Sequence, residues 1–442
     1  MKKLTALLCV LLLSGTMFAQ TLNLEQVRLM ALANSRSLAK YELSIRSSIL
    51  DEKNQLYAML PSVSAGYSAS ASYLQDWKFV NPVDTLKAGA TLSISQVIFQ
   101  GGKSFIQKAI SSIATESIRK DALAEYFNVL DAADNAYYAV LEAGAALEAE
   151  EASLKAAELS LAIAEIRSIN GMINQGDYLK AQADKEAREN SRNQARRNVT
   201  LNIARLKNLT GITDTLEIEQ IDFNSYEKLL SRLSSVTDEE ADTLYEALWR
   251  LLAASNPSLE KAALSSQRAE KNLSLALRDL SPTVKATFST GLNYSASNGF
   301  STPSQGDISI TGSIPLDFWV FTNKVEKSKI ARSSAALDYT NAEISLGIDL
   351  QNALLNTLAQ AGSVLSSGRT LQYMETHFEY TMERYRLSQS SVSDMSEATS
   401  LFLNSRNNYN KAAYGFLQSL SKLRSLCAIE DEEKLFSLLL EN

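Results

Sequence analysis

The sequence predicts a mainly α-helical protein with a small β part, in which one unit is used twice: a leading helix, a β-hairpin and a long helical hairpin. Three observations carry this prediction. The run from Ser62 to Tyr73 alternates strictly between apolar and small polar residues. Elsewhere, helical periodicity continues for tens of residues without a breaker. Landmarks also recur at a fixed distance: Leu38 and Leu259, Pro61 and Pro282, Val63 and Val284, and Lys103 and Lys324 each lie 221 residues apart. Self-similarity at a fixed spacing marks a duplicated structural unit.

The chain has 442 residues, enough for two or three domains and a large core. Its 43 basic and 50 acidic residues give a net charge of −7, which argues against a nucleic-acid groove. Residues 1–19 read as an export signal: Lys2 and Lys3, an apolar core from Leu4 to Leu13, then small residues up to a cleavage site after Ala19. Losing both lysines leaves 41 basic against 50 acidic residues, a net charge near −9. The signal core is too short for a permanent membrane helix. Cys9 lies inside that core after bulky Leu8, a poor setting for lipid attachment. The mature chain then keeps only Cys427, so no internal disulfide is expected. No later apolar run approaches the roughly 18 residues of a transmembrane helix. Such an exported chain is periplasmic, secreted or an outer-membrane barrel.

In chain order, Leu24 to Leu60 is helical, with a break and capped restart at Asn34-Ser35-Arg36-Ser37. Pro61 opens the first strand, expected over about 62–73. Side chains alternate faces along a strand, so Val63, Ala65, Tyr67, Ala69, Ala71 and Tyr73 share one face, and the serines and Gly66 the other. A polar loop with aromatic residues leads to a second strand, about 86–98, with Leu86, Ala88, Ala90, Leu92 and Ile94 on its apolar face. Gly101-Gly102 ends it. A helix from Lys103 to about Asn170 carries Leu123, Phe127, Leu130, Tyr137 and Leu141 at coiled-coil spacings and would be about 100 Å long. A break at 170–177, holding Gly171 and Gly176, precedes a return helix over about 178–209 that Gly211 ends. These segments make a first repeat, 20–211, followed by an acidic connector, 212–242.

The second repeat, 243–429, has strands at about 283–296 and 307–317, a long helix after Lys324, and a break at about 387–394 holding Ser388 and Ser391. In its return helix Phe402, Tyr409, Phe416 and Leu423 recur every seven residues. Towards the end of the repeat the offset becomes 217, pairing Arg167 with Arg384 and Leu209 with Leu426. A tail, 430–442, closes the chain.

Four amphipathic strands cannot close a barrel by themselves, and open strand edges are not tolerated in lipid. If the apolar faces meet lipid, several chains share one barrel whose serine, threonine and glycine faces line water. The rival reading packs those strands on a soluble core, in a periplasmic coiled-coil scaffold or adaptor protein without a membrane pore.

The ordered landmarks resemble the TolC-like outer-membrane efflux protein family from Leu22 to Ile429. They are Asn256-Pro257-Ser258-Leu259 in the leading helix, Leu60-Pro61 and Ser281-Pro282 before the strands, and Gln96-Val97-Ile98-Phe99-Gln100-Gly101-Gly102-Lys103 between strand and helix. Leu206-Lys207-Asn208-Leu209-Thr210-Gly211 ends the return helix. Two departures stand out. Ile314-Pro315-Leu316-Asp317-Phe318-Trp319 replaces the usual double glycine, and Ser388 replaces the usual tip glycine.

The resemblance implies an outer-membrane homotrimer with a 12-stranded β-barrel continuous with a periplasmic α-helical barrel, and an equatorial region formed by the connector and tail. It implies a passive duct without enzymatic activity, cofactor or metal, supplied by an inner-membrane transporter and a periplasmic membrane-fusion (adaptor) protein. In the family, acidic residues six and nine positions past each tip narrow the tunnel. Here those positions are Asp394 and Glu397, and Asp177 and Lys180. Gly171, Gly176, Ser388 and Ser391 mark the tips where an adaptor would dock.

Plainer readings compete with these. Asp177 and Asp394 suit the first turns of the return helices, where aspartate caps the end and complements the helix dipole. His377, the only histidine, reads as a mid-helix packing or surface residue. Lys185, Arg188, Arg192, Arg196 and Arg197 form a basic stripe, better suited to a solvated or intersubunit face than to an anion site. Trp77, Phe79 and Tyr73 fit an interfacial aromatic belt or local loop packing. With one histidine and one mature cysteine, histidine- or thiol-rich metal sites and His-dependent nucleophiles lack their parts.

Overall fold

The structure, a computed structural model, describes residues 21–75, 78–214, 217–301 and 306–441; the export signal and Trp77 lie outside this set. The element order appears twice. After β1 (Thr21–Leu22), the first repeat runs α1 (Leu24–Asn34), α2 (Arg36–Tyr57), β2 (Ser62–Ser70), β3 (Leu74–Gln75), β4 (Lys78–Phe79), β5 (Lys87–Phe99), α3 (Lys103–Ile169) and α4 (Gln175–Thr210). The connector holds β6 (Glu217–Ile218), a 3-10 turn (Phe223–Tyr226) and α5 (Glu227–Ser234). The second repeat runs α6 (Asp238–Ser255), α7 (Pro257–Ala276), β7 (Thr283–Ser295), β8 (Gly299–Ser301), β9 (Asp307–Ser313), α8 (Phe318–Arg386) and α9 (Val392–Leu426), and α10 (Glu432–Glu441) ends the chain.

Strands β2 and β9 stop at Ser70 and Ser313, short of the expected 73 and 317, and three helix starts differ from the sequence reading for identifiable reasons. Helix α8 begins at Phe318, six residues before Lys324, whereas α3 begins only at Lys103, after Gly101 and Gly102 take positive φ of 67° and 75°. The second repeat has no glycines there to hold the chain out of the helix. Helix α4 begins at Gln175 because Asn174 Oδ1 accepts the Asp177 N–H at 2.8 Å, so Gly176 sits in its first turn rather than in the break. Helix α6 begins inside the expected connector, at Asp238, because Thr237 and Glu240 form a reciprocal capping box.

The chain divides into two units. One comprises residues 39–123 and 257–346. Its sheet runs β2-β5-β7-β9, all antiparallel, with β8 extending the β7 edge that β9 occupies. Its helical part is tied by polar contacts between the repeats. Lys261 pairs with Asp121 at 2.7 Å, and Lys120 pairs with Glu260. Asp279 receives both Lys103, at 3.1 Å, and Lys324, the two lysines at equivalent places in the repeats. Partial burial raises the Asp279 carboxyl, but the two ammonium groups outweigh it and hold the carboxyl below its ordinary value.

The other unit comprises residues up to 38, 124–256 and 347–442. Its core includes Tyr137, Tyr138, Leu350, Leu354 and Phe416 from the long helices, all essentially buried. Leu229, Leu233, Leu435 and Leu439 are buried on α5 and α10, which pack together, and the Tyr226 and Phe436 rings meet edge-on at 5.8 Å. Each return helix has its last carbonyls satisfied by an asparagine: Asn34 donates to Leu209 O at 3.1 Å, and Asn256 to Leu426 O at 2.9 Å. Buried Asp134 accepts from Arg28 at 2.5 Å and Arg424 at 2.7 Å, and Arg28 also meets Glu432 of α10. Burying a carboxylate is costly unless donors of this kind pair with it.

Candidate functional site: the sheet and the helical tips

The sheet is amphipathic across all four strands, because the registers line up like with like. Val63, Ile94, Phe288 and Ile308 form one continuous row, and Tyr67, Ala90 and Leu292 another. The opposite face carries the row Ser62, Ser95, Thr287 and Ser309 and the row Ser64, Ser93, Ser289 and Asp307. Hydroxyls pair across this face, with Ser62 Oγ 2.8 Å from Ser95 Oγ and Ser64 Oγ 2.9 Å from Ser93 Oγ. The apolar face is uncovered in the single chain: Tyr67 is 95% exposed and Ile308 79%. A patch of this kind marks a contact with lipid or protein. Among the described residues β2 pairs only with β5, and β9 only with β7, so the sheet has two open edges. Tyr73 and Phe79 stack at 6.5 Å beyond the strand ends.

The tips lie in the other unit and share one turn. Gly171 has φ of +70° and Ser388 +62°. In each tip two N–H groups reach back in the helix-ending Schellman pattern: Gly171 to Ser168 O and Met172 to Arg167 O, and Ser388 to Tyr385 O and Gln389 to Arg384 O. The second tip thus keeps the glycine geometry with a serine.

Arg167 clasps the two tips together. Its guanidinium donates to Tyr385 O and, at 3.4 Å, to Ser390 O, and lies 4.4 Å from the Tyr385 ring centroid. Tyr385 is fully buried, donates to Ser160 O at 3.0 Å, and packs with Ala164, Ala181, Val392 and Met395. Lys180 Nζ meets Ser393 Oγ at 2.6 Å. Arg384, the counterpart of Arg167, is exposed and donates to Gln389 O of its own tip at 2.9 Å. The clasp escaped the sequence reading, although the matched position of Arg167 and Arg384 was a usable signal.

The acidic candidates differ in their engagement. Ser391 caps α9, and Asp394 completes its capping box, accepting the Ser391 N–H at 2.9 Å and the Ser390 hydroxyl at 3.3 Å. The backbone hydrogen bond from Ser391 is the main reason the Asp394 carboxyl lies below its ordinary value. Glu397 is exposed one turn on. Asp177 sits at the same place in α4, but there the cap is Asn174. The basic stripe is partly consumed locally: Lys185 pairs with Glu189 at 2.5 Å, and Arg188 with Asp184 at 3.4 Å and with Ser400 Oγ at 2.6 Å. His377 is exposed on α8. Burial pushes the Cys427 thiol up to about 12, far from the range of a reactive thiolate. Among the described residues no group of three His, Cys, Asp or Glu side chains could hold a metal, and no helix is long and apolar enough to cross a membrane.

The family model described as outer membrane efflux protein matches residues 27–212 and 248–428. Outer membrane protein TolC of Escherichia coli is 22% identical, over 99% of this chain and 89% of TolC. The Campylobacter jejuni CmeC outer membrane channel superposes with a TM-score of 0.75 at 16% identity, covering 95% of this chain and 89% of CmeC. The outer membrane protein VceC from Vibrio cholerae does so with a TM-score of 0.72 at 14% identity, over 92% of this chain and 96% of VceC. The matched segments cover most of both repeats, and the fold is that of these channels. The chain belongs to the outer membrane efflux protein family.

Proposed function

We propose that the protein is the passive exit duct of a tripartite efflux or type I secretion machine. Three chains each contribute four strands to one 12-stranded outer-membrane barrel, which continues into a periplasmic α-helical barrel. The observation that carries this reading is the sheet: continuous apolar rows on one face, small hydroxylated rows on the other, and two open edges. In lipid, such edges must be closed by further strands. Substrates arrive from an inner-membrane transporter through a periplasmic adaptor, which docks at the tips, 170–177 and 387–394. The duct contributes shape and charge rather than a reaction. Around a three-fold axis, Asp394, Glu397 and Asp177 would each become three carboxylates, a cation-preferring constriction.

The test is single-channel conductance of the detergent-purified protein, alongside Asp394→Ala/Glu397→Ala. A small cation-preferring current that grows and loses selectivity in the double variant is expected. Unchanged current and selectivity in an assembled variant would overturn the constriction. A protein that stays soluble without detergent and gives no current would overturn the duct in favour of the periplasmic scaffold.

A further inference from the structure

Strands β2, β5, β7 and β9 carry three charged side chains between them, and all three lie on the hydroxylated face. They are Lys87 on β5, Lys285 on β7 and Asp307 on β9. The register fixes the face. Lys87 sits between Ser70 and Ser295, Asp307 closes the row of Ser64, Ser93 and Ser289, and Lys285 lies between Val97 and Thr311. Side chains directly opposite one another in a sheet share a face, so no charge falls among the apolar rows. Serine, threonine and glycine make up most of the hydroxylated face, and the two lysines stand over a floor of short residues. All three charged residues are exposed.

Their spacing keeps them apart. Along β7 the three charges register at Ser295, Ser289 and Lys285 itself. At about 3.4 Å per residue those steps are roughly 20 and 14 Å, well beyond ion-pair reach, so the aspartate neutralises neither lysine.

Resting on the duct reading above, we propose that Lys87 and Lys285 make the water-facing side of the sheet an anion-attracting lining. The exit of the duct then favours solutes bearing carboxylate, phosphate or sulfate groups. Around a three-fold axis each residue becomes a ring of three: two ammonium rings with one carboxylate ring between them, a surplus of positive charge. At physiological ionic strength the screening length is about 8 Å, shorter than either gap even for strands tilted by about 45°. Each ring therefore acts on a passing ion by itself. Lysine rings select anions in pores as aspartate rings select cations, and a charged wall concentrates its counter-ions in a confined channel. The lining is opposite in sign to the carboxylates proposed for the tips, so the sheet and the tips sort charge in different directions.

Reversal potential in a potassium chloride gradient tests the lining, measured in planar bilayers at low salt. The parent protein carries Asp177→Asn, Asp394→Ala and Glu397→Ala, which remove the carboxylates of the tips. At about 10 mM salt the screening length is about 30 Å, so the lysine rings reach across the channel. There the chloride-to-potassium permeability ratio should fall about threefold on adding Lys87→Gln/Lys285→Gln. It should hold with Lys87→Arg/Lys285→Arg, which keeps the charge, and rise with Asp307→Asn. At about 1 M salt, where screening acts within about 3 Å, the differences should vanish.

An unchanged ratio in a Lys87→Gln/Lys285→Gln protein that sizes as the parent does would overturn the proposal. If that variant does not assemble, Asp307→Asn decides alone, and a ratio that fails to rise overturns it. No current from any form, parent and wild type included, would overturn the duct reading itself.

Discussion

At the first tip Gly171 takes φ of +70°, and at the second Ser388 takes +62°; both hold the same pair of backward hydrogen bonds. At the ends of the return helices Gly211 takes +77° and Ala428, 217 residues later, +53°. The first repeat meets each left-handed turn with the residue that favours it, and the second holds the same turn with a side chain in place. At the corner between strand and long helix the outcome differs: without Gly101 and Gly102, the second repeat lengthens the helix instead. A turn locked by packed helices on both sides survives loss of its glycine, whereas a corner free to extend does not.

The comparison breaks most sharply at the matched arginines. Arg167 is 6% exposed and spans two tips, while Arg384 serves its own. Arg167→Ala removes charge-assisted hydrogen bonds to the buried Tyr385 carbonyl and the half-buried Ser390 carbonyl and a desolvated cation–π contact, an expected loss of about 4 kcal/mol at the tips. Arg384→Ala should cost less than about 1 kcal/mol, as for exposed polar contacts. Hydrogen exchange at tip amides reads both. Equal losses would mean that the two arginines do the same job.

The glycine corner comes next. A Cβ at Gly101 would sit 2.3 Å from Ser281 Cβ, whereas at Gly102 it would meet nothing within 4 Å. Both have positive φ, so Gly102→Ala should cost about 1 kcal/mol from backbone strain alone. Gly101→Ala adds overpacking and should cost about 3 kcal/mol. Thermal unfolding of the purified protein followed by circular dichroism separates them, and equal shifts would show that Ser281 moves aside freely.

Much of this architecture was legible because its signals are local. Alternation along Ser62 to Tyr73, the breaks at Gly171 and Ser388, and the capping residues each act within a few positions. Duplication then supplied the element order. Less legible was whatever depends on which copies meet: the β5–β7 join, the sharing of Asp279 by Lys103 and Lys324, and the clasp from Arg167 to Tyr385. Those are contacts between repeats, and a repeat's own sequence does not state its neighbour. Helix starts were misplaced where a single side chain decides them, as with Asn174 ahead of Gln175 and the Thr237–Glu240 box. The acidic positions past the tips came from spacing, but only coordinates separate Asp394, tied into a capping box, from Asp177, whose helix Asn174 caps.

A smaller effect tests the tips directly. Ser388→Gly should stabilise the second tip by about 1 kcal/mol by removing left-handed strain, and Gly171→Ser should weaken the first by a similar amount. Opposite shifts in local exchange confirm that the two turns differ only in residue. If Ser388→Gly is neutral or destabilising, the serine side chain compensates for its own strain.

The smallest expected effect is a pH difference between the tips. Ser391's N–H holds the Asp394 carboxyl below its ordinary value. A carboxyl lowered in the folded state stabilises it fully above the unfolded value of about 3.9, and that contribution disappears as pH falls through the folded value. Asp394 is solvent-exposed, so the change is a loosening of the first turn of α9 rather than an unfolding. Compared with amides of the first tip in the same sample, those at 391–394 should lose protection between about pH 5 and pH 2. Asp394→Asn keeps an acceptor but removes the titrating group, so the difference between the tips should become independent of pH. If the wild-type ratio is already flat over that range, the capping box does not depend on the carboxylate charge, and the asymmetry between Asp394 and Asp177 carries no energetic weight.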